Sequence, residues 1–220
     1  MILAYAMLFF LFVGAAINVV VILSVQKLEH PESLLEVIQN GESVLVNGAD
    51  YAARAHWAED NEFRPDLLAD FHGAIGAGPI TMAVWKNDYK KTFLSSYTVG
   101  GNIMSEFVTL LNNGSGLTTS NSIDSMLFPT APGHYVQAFG GMTDLDKLFR
   151  KHEAALVHLN QKKNVTIADR WETTDKLIVE SIQRQIKYVK NLPFWQFRGC
   201  YWFFIRRHRM KNKSIAEQYP

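Results

Sequence analysis

The chain has 220 residues, 48% of them apolar and 20% charged, with a formal net charge of +1. That balance excludes a disordered or low-complexity polypeptide, and 14 glycines with 7 prolines exclude a collagen-like one. The single cysteine, Cys200, allows no internal disulfide and no Cys-rich zinc module, so an ordinary apolar core must hold the fold.

All 43 formally charged residues follow position 26. Residues 2–25 form an uncharged run which, as a helix, would extend roughly 36 Å, enough to cross a hydrocarbon layer of about 30 Å with some tilt. A core helix would carry a polar stripe, but here the only polar side chains are Tyr5, Asn18 and Ser24. A cleavable signal peptide would have a basic start, a shorter apolar run and a terminal small-residue site. None is present, since Gly14, Ala15 and Ala16 fall in mid-run. Residues 1–26 are therefore expected to be an uncleaved single-pass transmembrane signal-anchor. With no basic residue before the run and Lys27 just after it, residues 27–220 are expected to be cytoplasmic. The sequons at Asn113, Asn164 and Asn212 then read as chance occurrences in loops.

Past the anchor, Pro31 and Glu32 suit a first helical turn, which predicts a short helix over 31–39, followed by weaker helical patches over 49–59 and 65–72. From residue 80 the period changes to that of strands, predicted over 80–86, 92–99, 103–111 and 117–120, with turns at Asn87-Asp88 and at 100–102. Short connections favour antiparallel pairing, so these strands read as a meander. A Ser- and Pro-rich loop over 121–133 leads to one more strand over 135–139. Leu145, Phe149, His152, Leu156 and Leu159 form a helical stripe over 143–160, capped by Thr143 or Asp144. A final helix over 171–190 ends before Pro193. The expected fold class is α+β: an N-terminal transmembrane helix, then a soluble domain over 27–191 in which an antiparallel β-meander packs with amphipathic helices, then a tail over 192–220.

The near-zero net charge conceals a split. Residues 27–142 hold 6 basic and 13 acidic residues, whereas 143–220 hold 16 basic and 8 acidic ones. Either the halves face one another or the basic half faces something anionic.

Catalytic chemistry finds little support. His56, Asp70, His72 and His152 are the weak candidates, as imidazole and carboxylate groups in or near an acid-rich stretch over 56–72. They lack the spacing of a metal site, so no metal ligand set is expected, and no nucleotide or other cofactor motif appears. The run over 73–79 has the wrong glycine spacing for a phosphate cradle and reads as a connector. Cys200 lies in an aromatic segment where an inert thiol is the default. His152, inside an apolar stripe, reads as a core histidine with a hydrogen-bond partner.

The tail is different. Phe194, Trp195, Phe197, Tyr201 and Trp202 precede Arg206, Arg207, Arg209, Lys211 and Lys213, a pattern of aromatic rings beside basic groups that suits the headgroup boundary of a bilayer. Lipid is thus the expected partner of the anchor and the tail. A protein partner is expected for the acidic half, and nucleic acid is not. The sequence favours a non-enzymatic interaction or scaffold module held at a membrane surface. The alternative is a membrane-tethered hydrolase-like enzyme built on the histidines and aspartates named above.

Overall fold

The computed structural model describes residues 2–38, 48–73, 75, 78–99, 101–169 and 172–220. Helix α1 (Ile2–Lys27) is continuous, as an uninterrupted apolar run without proline dictates. Pro31–Ser33 forms a single 3-10 turn, and the chain then pairs as β1 (Leu35–Val37) instead of continuing a helix over 31–39, whose last residue lies outside the described residues. Helix α2 (Ala49–Asp60) follows, and then seven strands are completed by β2 (Arg64–Phe71), β3 (Ile80–Asn87), β4 (Thr92–Val99), β5 (Asn102–Leu110), β6 (Gly116–Ser120) and β7 (His134–Ala138).

β2 replaces the helix expected over 65–72. Pro65 suggested a helix start, but its missing N–H is equally at home where the β2–β3 register shifts, between Pro65 and Leu67. Beyond that bulge Leu68 faces Ala83 and Asp70 faces Thr81, and β2 also receives β1 through Glu36 opposite Asp70. Tertiary pairing has overridden local propensity.

Strands β3 to β6 form the expected antiparallel meander, and β1 and β2, not expected as strands, extend it in chain order. The sheet is nevertheless mixed, because β7 joins β6 in parallel, Gly116 beside His134 and Ser120 beside Ala138. A parallel neighbour needs a crossover of a dozen or so residues, and the loop over 121–133, with a 3-10 turn at Ile123–Met126, is that crossover.

Leu68, Ala83, Trp85, Leu94 and Phe107 share one sheet face through the β2–β5 register. Helix α2 and helix α3 (Leu145–Lys163) cover this face, adding Ala58, Leu145, Leu148 and Phe149 to the main core. Helix α3 starts as its sequence requires, with Asp144 accepting from the Lys147 N–H at 3.0 Å, and it ends on Asn164 in the left-handed region. Helix α4 (Thr174–Lys190) lies against β1, β2 and the end of α1. The first residue of the helix expected over 171–190 lies outside the described residues, as does part of the 73–79 run.

The tail is not a featureless extension. It makes a 3-10 turn at Trp195–Phe197, wide π-type turns at Tyr201–Arg206, and two short helices, α5 (Arg207–Met210) and α6 (Ile215–Gln218). Helix α6 opens with a capping box between Ser214 and Glu217. Ile215, fully buried, joins Leu111, Leu117, Ala155 and Leu159 in a further apolar cluster.

Phe107 is fully buried, with its ring centroid 4.8 Å from Phe149 and 5.4 Å from Trp57. Phe107→Ala should cost about 3–5 kcal/mol of stability, against less than about 0.5 kcal/mol for Phe204→Ala on the surface. Chemical denaturation of the full chain in mild detergent reads both values.

Candidate membrane-facing site and the placement of the histidines

Met7–Lys27 is the one stretch among the described residues long and apolar enough to cross a membrane. Its two halves have different surroundings. Met7 to Phe12 stand clear of the protein, with Phe10 and Phe12 more than 70% exposed. Toward the other end Val21 and Val25 are buried, packed with Ile186 and Val189 of α4 and with Trp195 and Trp202 of the tail. Val19, Val20 and Leu23 keep one flank of the helix open. An exposed apolar flank therefore runs from Met7 to Leu23, about 26 Å of helix.

The tail docks on the opposite flank through small groups. Cys200 donates its backbone N–H to Asn18 Oδ1 at 3.3 Å, and its thiol lies 3.2 Å from the Gly14 carbonyl. A Cβ on Gly199 would meet Asn18 Oδ1 at 2.8 Å and the Asn18 Cα at 3.2 Å, so only glycine allows the two backbones to come this close. The one amide within the uncharged run over 2–25 thus has a partner in the tail. Ser24, the other polar interruption, bonds back to the Val20 carbonyl at 2.8 Å.

The aromatic and basic residues of the tail divide into two groups. Trp195 and Trp202 fill the cluster between α1 and α4. Phe194 and Phe197 are more than 75% exposed, and Tyr201, Phe204 and Ile205 are also open. Arg206 donates to the carbonyls of Met126 and Phe128, the latter at 2.8 Å, and burial lowers its pKa. Arg207 pairs with Asp124 and lies over the Phe203 ring at 4.2 Å. Arg209, Lys211 and Lys213 are exposed, with no ion pair among the described residues.

The four weak catalytic candidates share no partner. His56 on α2 is exposed, 3.6 Å from Asp60 one turn on. Asp70 accepts from Thr81 Oγ1 at 2.6 Å, and His72 Nε2 lies 3.2 Å from Glu36. His152 is fully buried on α3, between Thr109 Oγ1 and Thr119 Oγ1, each at 2.9 Å. Among the described residues no group of three or more His, Cys, Asp or Glu is placed to hold a metal ion.

His152 is instead the centre of a polar chain laid across four strands. Gln137 donates to Thr119 at 2.9 Å, and Thr109 and Thr92 lie 2.8 Å apart on the other side of the imidazole. One arrangement of hydrogens satisfies every member: Thr119 donates to His152 Nδ1, Nε2–H donates to Thr109, Thr109 to Thr92, and Thr92 to the Lys90 carbonyl. That arrangement requires a neutral imidazole, and burial lowers the His152 pKa to about 3. Gln137 also accepts from the Ile215 N–H at 2.9 Å, which carries the chain to α6.

Two further polar centres escaped the sequence pattern because each is assembled from distant strands. Arg54, buried on α2, donates through Nε to Ser105 at 2.9 Å, and Ser105 also meets Ser96 at 3.0 Å. Glu106 accepts from the Tyr97 hydroxyl at 2.8 Å, and burial raises its pKa against the lowering effect of bonds from Tyr97 and Ser120. For the tail contact, a signal was available in the Gly14-x-x-x-Asn18 spacing, which sets two small residues on one helix flank.

His152 predicts how stability depends on pH. Its folded pKa lies below the ordinary 6.5, so only the unfolded chain takes up the proton as pH falls through 6.5 toward 3. Stability should therefore be fully present above 6.5 and fall below it by up to about 1.4 kcal/mol per pH unit. His152→Gln should remove that part of the slope in denaturant titrations at successive pH values. At the tail, Gly199→Leu should push the segment from α1 and raise the alkylation rate of Cys200 by on the order of tenfold, the equivalent of about 1.4 kcal/mol of lost docking. In comparisons with known proteins, no family model, no curated protein and no solved structure matches the chain.

Proposed function

We propose that this chain is a single-pass membrane-anchored interaction module, non-enzymatic, with residues 27–220 on the cytoplasmic side. The observation that carries the proposal is that apolar side chains stand exposed both on the open flank of α1 and on Phe194, Phe197, Tyr201, Phe204 and Ile205 of the tail docked against the same helix. Water is a poor solvent for such a surface, whereas a bilayer removes it from water at about 25 cal/mol per Å². Residues 2–12 alone would cover only about 16 Å, so the open flank through Val19, Val20 and Leu23 is needed to complete a span. The exposed tail rings then meet the leaflet on that side, and Arg209, Lys211 and Lys213 are free to attract anionic headgroups at on the order of 1 kcal/mol each.

Anchoring of this kind orients the rest of the domain. Part of the acidic half is already engaged by the basic half: Glu29 with Lys190 at 2.7 Å, Asp124 with Arg207, and Glu32 with Gln183 at 3.1 Å. Glu59, Asp60 and Glu62, at the end of α2, remain exposed. They form the acidic face offered to a basic protein partner, where charge complementarity would speed encounter and select the partner.

Two measurements test the proposal. Full-length protein in vesicles should resist extraction at high pH, and replacing Phe194, Phe197 and Phe204 by Ser should shift or weaken its binding to anionic vesicles without unfolding it. Point substitutions are required because deleting α1 would remove Val21 and Val25 from the core. Release by high pH would refute the anchor. For the interaction role, Glu59→Lys, Asp60→Lys and Glu62→Lys together should abolish retention of the partner that the native chain keeps in mild detergent; unchanged retention would refute the acidic face.

A further inference from the structure

Between α1 and one end of the sheet lies an apolar groove of about 530 Å³, within the range of built ligand sites. One wall is a stripe of α1, Ala16, Val20 and Ser24, continued by Leu28 just past its end and flanked by Ile17 and Val21. That stripe alone runs about 18 Å along the helix. The facing wall comes from Phe71 and Ile80 at the sheet end and from Leu127, Phe128 and Phe203. Ser24 is the one polar side chain among the described residues that line it, and its hydroxyl is spent on the Val20 carbonyl at 2.8 Å. The groove thus offers a ligand length and hydrocarbon, with no free hydrogen-bonding group along its floor.

We infer that this groove holds one acyl chain of an anionic bilayer phospholipid, its headgroup meeting the arginines beside Phe203 and Phe128. The inference rests on the membrane anchoring proposed above. Two features select this occupant. First, Ala16 and Val20 belong both to the groove wall and to the open flank of α1, so the groove is continuous with the surface that lipid would bathe. An acyl chain can enter sideways without leaving hydrocarbon. Second, the charge beside the wall is positive. Arg207 stacks at 4.2 Å on the Phe203 ring that lines the groove, and Arg206 is held at the carbonyls of Met126 and Phe128. Asp124 neutralises one of these two cations through an Arg207 Nη1 atom. Arg206, whose partners are neutral carbonyls, keeps a positive charge beside the wall that a phosphate would compensate with a charge-assisted bond.

The test uses the full chain in vesicles of mixed phosphatidylcholine and phosphatidylglycerol. After extraction in mild detergent, native mass spectrometry should find one phosphatidylglycerol per chain. Ile80→Trp and Leu127→Trp, which fill the groove from the domain side and leave α1 untouched, should each lower the retained lipid at least fivefold. Arg206→Gln should abolish the preference for phosphatidylglycerol over phosphatidylcholine. A photo-reactive benzoylphenylalanine replacing Ile80 should crosslink to lipid. Native chain that resists high-pH extraction yet carries no lipid, folded Ile80→Trp and Leu127→Trp variants that both keep it, or a crosslink from position 80 to a polypeptide would each overturn the groove assignment and leave the anchor standing. Release of the native chain from vesicles at high pH would overturn the anchor and this inference with it.

Discussion

The structure depends on one piece of packing, the burial of Val21 and Val25 of α1 among Ile186, Val189, Trp195 and Trp202. Because of it, the most apolar helix is part of the domain's own core over its last two turns. The same contact fixes α4 and the tail, which have few other reasons to meet. Burying side chains of this size contributes about 1.5–3 kcal/mol each, so the cluster outweighs any surface ion pair near it. Domain and helix must therefore move as one body, and whatever embeds the helix also orients the sheet.

Close approach of the tail to α1 follows from two small residues and one amide. Gly14 and Gly199 bring the backbones together, and Asn18 satisfies a backbone N–H that would otherwise be stranded against apolar surface. In a low-dielectric setting that satisfaction matters more than in water, since an unpaired N–H has no solvent to turn to. The division of the tail aromatics has the same origin. Once Gly199 sits against Asn18, Trp195 and Trp202 face inward and Phe194, Phe197 and Phe204 face outward. Charge is arranged with similar economy. The basic half turns Lys190 and Arg207 onto Glu29 and Asp124, leaving Arg209, Lys211 and Lys213 as the outward cations of the tail.

On the opposite side, the sheet is organised around polar groups that had to be buried because their strands are central. The register sets Thr92 opposite Thr109 and Thr119 beside Gln137, and His152 of α3 bridges the two pairs. A neutral histidine with both nitrogens engaged is well suited to this place and poorly suited to proton transfer, since a proton added there would break one of its two bonds and sit unsolvated. The other two candidate histidines lie apart with local carboxylate partners: His56 with Asp60, and His72 with Glu36.

Much of this was legible in the residues alone. The uncharged run of α1, the strands β3 to β6 with their turns, and the stripe and Asp144 cap of α3 are local patterns of apolar period and capping chemistry, and such patterns survive folding because nothing distant competes with them. The α+β class followed from their order. Three things were decided only by tertiary structure. Pro65 to Phe71 became a strand because β1 and β3 were there to pair with it. β7 turned parallel because the crossover over 121–133 returned the chain to the Gly116 end of β6, a matter of where the loop ends and not of what it contains. The two faces of the tail, the groove beside α1 and the polar chain through His152 arose from residues far apart in the chain, such as Gly14 with Cys200 and Thr92 with Gln137. No periodicity records which of those will meet, because burial and hydrogen bonding are settled between elements and only after each element has formed.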